Sequence, residues 1–150
     1  MVENDNLAQQ MELLADKAVT LARDQFDVDF DFTEYSLRLV EKILAKMGED
    51  IPKSILGRIF KRGPSKNQIN SVCMLLGAYI GEVMRRKWNG TWHLDSTFGE
   101  PLPAIAILDG KIYPTHKVYK RLVDGEGDNI WAYYEMLENM VEQGTRDGGA

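Results

Sequence analysis

The feature that most constrains this chain is a pair of glycines one helical turn apart. Residues 75–92 read LLGAYIGEVMRRKWNGTW, with Gly77 and Gly81 inside an otherwise apolar helical stretch. Each glycine costs a helix about 1 kcal/mol relative to alanine. The usual compensation is close approach of another backbone along the glycine face. The pattern therefore predicts that this helix, about 66–87, is the central packing element. Val72, Leu75, Leu76, Tyr79, Ile80 and Val83 cover much of its circumference, as expected for a helix packed on several sides. Glu82 is the lone acid of this region and calls for a partner, with Arg86 one turn on. Arg85, Arg86 and Lys87 close the helix, where cations favour the dipole.

Around this helix the hydrophobic period defines the remaining elements. Leu7, Met11, Leu14, Ala18, Leu21 and Ala22 give a helix over 6–25. Residues 27–32, DVDFDF, alternate acid and apolar as an extended connector. Asp31 and Glu34 resemble a capping box that opens a second helix to about Met47, with Gly48 as its C-terminal cap. Pro52 suits the first turn of a third helix over 52–61, closed by Gly63-Pro64. After the central helix the period changes. Thr91–Leu94, Ala104–Leu108 and Lys111–Tyr113 read as strands, with Asp109-Gly110 as a two-residue hairpin turn. Pro114 and Thr115 begin either an extended run or a short helix through Val123. Residues 124–129, DGEGDN, form a loop, and Asp128 caps a last helix over about 129–143 with an unstructured tail after it. The expected fold is a single α+β domain: N-terminal helices around a GxxxG helix, an antiparallel meander of about three strands, and a closing helix.

Charge is segregated along the chain. Residues 1–50 carry net −7, residues 51–90 net +7 and residues 91–150 net −5. Two functional surfaces follow. The acidic loops Asp27, Asp29, Asp31 and Asp124, Glu126, Asp128, with Trp131 beside the second, suit a protein partner. The basic residues Lys53, Arg58, Lys61, Arg62, Arg85 and Arg86 suit a polyanion such as single-stranded nucleic acid, with Trp88 and Trp92 as stacking platforms. An overall pI of about 5.1 weighs against the second.

The chemistry-bearing residues are sparse. His93 and His116 are the only histidines, and Cys73 the only cysteine. On a strand, His93 and Asp95 share a face and form a possible acid–base pair, with Glu82 as a third candidate. No nucleophile motif accompanies them. The histidines and cysteine match no zinc spacing. Neither acidic cluster completes a calcium loop, because Phe32 and Asn129 stand where the turning glycine is needed. No phosphate-binding glycine loop is present. The expectation is no catalytic residue, no metal and no cofactor. A single cysteine and a polar first segment point to the cytoplasm and away from a membrane.

The segments DFDFTEYSLRLVEKIL, LGAYIGEVMRRKWNGTW, a proline-containing hairpin and KRLVDGEGDNIWAYYEML together resemble a loose family of small bacterial cytosolic proteins of unknown function. The family pattern is an acidic-aromatic-Ser helix opening, an LGxYxGE helix, a Gly-x-Trp strand and a closing aromatic helix. Some members resemble immunity proteins, which neutralise a secreted toxin. The resemblance spans about residues 7–142 and is weakest over 48–66. It implies a non-enzymatic inhibitor that occludes a toxin, and it carries no catalytic residues.

Overall fold

The computed structural model describes residues 2–50 and 63–148, with side chains placed over 5–48 and 69–144. Within them lie five α-helices and one three-stranded sheet: α1 (Val2–Phe26), α2 (Ser36–Asp50), α3 (Gly63–Trp88), β1 (Thr91–Asp95), β2 (Leu102–Ile107), β3 (Gly110–Ile112), α4 (Pro114–Asp124) and α5 (Ile130–Gly148). A short 3-10 turn, Gly125–Asp128, joins the last two helices. The fold is α+β, as the period change along the sequence implies. The third helix expected over 52–61 lies outside the described residues.

The central helix is α3, and its most extensive neighbours are α1 and α4. Leu76, Ala78, Tyr79, Ile80, Val83 and Met84 are almost wholly buried. The two glycines are where the packing is tightest. A Cβ on Gly77 would lie 2.5 Å from the Cα of Thr115, in the first turn of α4. A Cβ on Gly81 would lie 2.3 Å from the indole of Trp92 on β1. So one glycine admits a backbone, as expected, and the other admits an aromatic ring.

The sheet is an antiparallel meander in the order β1-β2-β3. Trp92 pairs with Ile105, and Ile105 with Ile112, so three buried side chains line up across one face. That register moves the hairpin turn by one residue. Ile107 pairs with Gly110, and the turn is Leu108-Asp109 rather than Asp109-Gly110. Leu108 takes φ 51°, in the left-handed region, and is exposed. Matching Ile105 to Ile112 across the core outweighs the local preference for glycine in the turn.

Several boundaries also differ from the sequence pattern. Gly48 does not cap α2, which continues to Asp50. Asp31 and Glu34 form no capping box. Asp31 accepts hydrogen bonds from the Thr33 N–H (3.1 Å) and the Thr33 hydroxyl (2.6 Å), a local Asx turn, and α2 starts later, at Ser36. Gly63 and Pro64 open α3, which starts ahead of residue 66. Residues 114–124 choose the helix over the extended run, with Pro114 in the first turn. Asn129, not Asp128, caps α5, accepting the Ala132 N–H at 3.0 Å. That helix runs on to Gly148, beyond residue 143 and into the segment expected to be an unstructured tail.

Tyr79 ties the connector to the core. Its ring stacks on Phe30 (4.4 Å between centroids) and meets Phe32 at 4.9 Å. Its hydroxyl accepts the Phe32 N–H at 2.9 Å and shares a 2.6 Å hydrogen bond with the Ser36 hydroxyl. These contacts hold Phe32 at φ 62° and fix where α2 begins.

Gly81→Ala should destabilise the protein by about 1–3 kcal/mol, because the overpacking against Trp92 exceeds the gain in helix propensity. Gly48→Ala, whose Cβ would meet nothing within 4 Å, should instead stabilise it by up to about 1 kcal/mol. Urea unfolding of the two variants checks both signs.

Candidate functional site on the α2–α5 face

Glycine at 81 brings the Trp92 indole onto α3, and Glu82 then receives it. The Trp92 Nε1–H donates to Glu82 Oε2 at 2.8 Å. Arg85 completes a bidentate pair with the same carboxylate, at 2.6 and 3.1 Å, and Arg86 adds a contact at 3.4 Å. Glu82 is only 1% exposed. Desolvation pushes its pKa up, while the Arg85 and Trp92 hydrogen bonds and both guanidinium charges pull it down. The balance leaves it below the usual glutamate value. The expected Arg86 pairing is present, yet Arg85 and Trp92 dominate. The acid therefore locks strand β1 to helix α3.

The third terminal cation of α3 turns elsewhere. Lys87 donates to Glu34 ahead of α2, to Glu138 on α5 (2.8 Å) and to the Tyr134 hydroxyl (2.6 Å). Tyr134 Oη lies 2.5 Å from Glu34 Oε2 and 2.8 Å from Glu138 Oε2. Although desolvation works against its charge, the hydrogen bonds from Lys87 to Glu138, Glu34 and Tyr134 hold its pKa well above the usual lysine range. Lys87, through its hydrogen bonds, holds both carboxylates below the usual range. This cluster clamps the ends of α2 and α3 to the middle of α5.

From it a ladder of flat groups runs outward. Trp88 stacks on Tyr134 (5.5 Å), Tyr134 on Trp131 (5.3 Å), and the Arg38 guanidinium covers the Trp131 ring at 4.3 Å and faces Tyr35 at 5.8 Å. Burial increases inward: Tyr35 is 60% exposed and Tyr134 1%. A second clamp sits at the other end of the same helix pair. Glu41 on α2 accepts two hydrogen bonds from Arg121 Nε (2.9 and 3.0 Å), one from its Nη2 (2.8 Å), and the Ile130 N–H that opens α5 (2.9 Å). Two ionic anchors thus flank an aromatic and cationic strip.

The residues expected at a functional site fall as follows. Trp131 is in the ladder. Asp27 and Asp29 are exposed between α1 and α2, with Asp29 3.5 Å from Arg23. Asp31 is spent on Thr33. In the later loop Asp124 and Glu126 are exposed, while Asp128 is paired with Lys117 (3.0 Å) and Lys120 (3.6 Å), so this loop is partly neutralised by α4. Arg85 and Arg86 are tied to Glu82, and Arg86 also lies 4.0 Å above the Phe32 ring. Lys53, Arg58, Lys61 and Arg62 lie outside the described residues. Trp92 is buried beneath α3 and offers no surface to a base.

His93 Nε2 lies 3.8 Å from Asp95 Oδ2. Asp95, however, accepts Lys111 (2.7 Å), the Thr97 N–H (2.9 Å) and the Tyr113 hydroxyl (3.1 Å), which pin the β1–β2 connection to the hairpin. Glu82 is engaged by Trp92, Arg85 and Arg86. His116 stacks instead between Phe98 and Tyr119. Burial pushes the Cys73 thiol up to about 12, which makes it inert. Among the described residues no three of His, Cys, Asp and Glu are grouped to hold a metal ion, and no helix is long and apolar enough to cross a membrane.

Sequence reasoning missed Tyr35, Arg38 and the Lys87 cluster. One signal is available: Arg38, Lys42 and Lys46 share the outer face of α2 at helical spacing, with the exposed Tyr35 just ahead of the helix. The clamp itself joins residues 34, 87, 134 and 138, which no local pattern links.

No protein-family model, curated protein or solved structure matches this chain.

Because Glu82 is depressed below its ordinary value, its ionised form stabilises the fold above about pH 4 and that contribution is lost as pH falls through the lowered pKa. The stability gap between the wild type and Glu82→Gln, measured by urea unfolding, should be widest near about pH 6 and should shrink toward about pH 3.

Proposed function

We propose that this protein is a non-enzymatic cytoplasmic binding module, most concretely an inhibitor of the immunity type that occludes a toxin. The observation that carries this reading is the ladder Tyr35–Arg38–Trp131. Tyrosine, tryptophan and arginine are the residues that dominate binding energy at protein contacts. Here they are stacked and braced by the Lys87 and Glu41 clamps. The stacking of Arg38 on Trp131 and of Trp131 on Tyr134 reduces the side-chain freedom those residues would lose on association, which favours affinity. Exposed Glu34 and Arg38 at the edge supply charge for partner choice. The acids and phenols that would serve catalysis, Glu82, Asp95 and Tyr134, each have a structural task. The loop acids Asp27, Asp29, Asp124 and Glu126 remain outward-facing carboxylates, secondary to the ladder in this account.

The polyanion alternative, using the basic 53–87 region, draws less support. Two of its six cations are engaged by one buried carboxylate, and one of its two tryptophans is in the core.

Affinity capture from cells that make the protein, followed by calorimetry on the purified partner, tests the proposal. Tyr35→Ala and Arg38→Ala should each weaken partner binding about tenfold while leaving urea stability within about 0.5 kcal/mol. Co-expression should protect against a toxin encoded beside the gene, and the paired variant should not protect. Capture that returns only the protein itself, with no protection from any neighbouring toxin, defeats the reading.

A further inference from the structure

We propose that the α2–α5 face is also the contact through which two copies of this chain associate, antiparallel and about a twofold axis. The proposal rests on how charge is distributed along that face and is tested separately from the toxin reading; because both use Tyr35, Arg38 and Trp131, a toxin and a second copy would compete for the face.

Helical spacing places Arg38, Lys42 and Lys46 along one side of α2, Tyr35 immediately precedes the helix, and all four are exposed. It places Trp131, Glu135, Glu138 and Glu142 along one side of α5, with Glu135 and Glu142 exposed. Three contacts fix how the helices run. Glu34 meets Tyr134 and, through Lys87, Glu138; Arg38 meets Trp131; Glu41 meets the Ile130 N–H. The helices are therefore antiparallel. Lys42 and Lys46 continue beyond the start of α5, and Glu138 and Glu142 continue beyond the start of α2.

The face is a bipolar strip as a result. Its basic end carries Lys42 and Lys46. Its acidic end carries Glu34, Glu135, Glu138 and Glu142, with Lys87 enclosed between two of them. Among the described residues, Lys42, Lys46, Glu135 and Glu142 form no ion pair within the chain. The flat groups Tyr35, Arg38 and Trp131 lie between the two ends. A twofold axis through the middle lays each basic end on the acidic end of the other copy and brings the exposed Tyr35 rings toward the centre. A strip of one sign would repel itself in that arrangement. A bipolar strip is complementary to itself, which is the condition an isologous contact must meet. An aromatic centre with a charged rim is also the usual anatomy of a specific contact.

Sedimentation of the purified chain over a concentration series, in low and high salt, tests this. The expected mass is twice that of the chain, with dissociation favoured by added salt. Lys42→Glu with Lys46→Glu should weaken association at least tenfold, and Glu135→Lys with Glu142→Lys should do the same. A mixture of these two double variants should restore a 1:1 heterodimer. The fourfold variant, which reverses both ends, should associate with itself again. Leu13→Ser, on the exposed side of α1, should leave the dimer unchanged. Monomeric mass for the wild type at every concentration in low salt overturns the proposal. A dimer untouched by either double variant overturns it equally. Because these residues are exposed, circular dichroism identical to the wild type separates a lost contact from a lost fold.

Discussion

The fold depends on one three-part contact: Gly81 leaves room, Trp92 fills it, and Glu82 accepts the indole N–H at 2.8 Å. Each part explains the others. Without a side chain at 81 the indole can lie against α3. With the indole there, its N–H is buried and needs an acceptor. An ionised carboxylate serves as that acceptor only if its own charge is compensated, and Arg85 and Arg86 do this from the next turn. A buried charge left alone costs several kcal/mol. The five residues therefore act as a unit that joins the helical half of the molecule to the sheet.

The same helix distributes its remaining polar groups outward. Tyr79 reaches Ser36 and the Phe32 N–H, which sets the start of α2. Lys87 reaches Glu34, Tyr134 and Glu138, which sets where α5 lies. The α2–α5 face is thus positioned from the core through two hydrogen-bonded relays, and its ladder of rings inherits that rigidity. The placing of that face is a consequence of how the polar groups of α3 are satisfied.

Much of this architecture is legible in the sequence. The glycine pair pointed to close approach at 77 and 81, and the change from period 3.6 to period 2 near Asn89 separated helices from sheet. What escaped is what long-range contacts decide. The turn Asp109-Gly110 gave way to Leu108-Asp109 because Ile105 and Ile112 had to meet across the sheet. The apparent capping role of Glu34 gave way to Lys87, fifty-three residues later in the chain. Helical spacing offers Arg86 as the partner of Glu82, and that pair is present, but the bidentate Arg85 pair and the Trp92 N–H depend on how the buried carboxylate is turned. The Arg38–Trp131 contact joins two helices that nothing local relates.

A double-mutant cycle between positions 81 and 92 tests the central contact most directly. If glycine is required at 81 because the indole occupies the space of its Cβ, then Gly81→Ala should be costly beside Trp92 and should lose most of that cost, or turn stabilising, in a Trp92→Leu background. The coupling energy should reach about 1–3 kcal/mol. Strictly additive effects would mean that the two residues do not share that space, and the account built on their contact would be wrong.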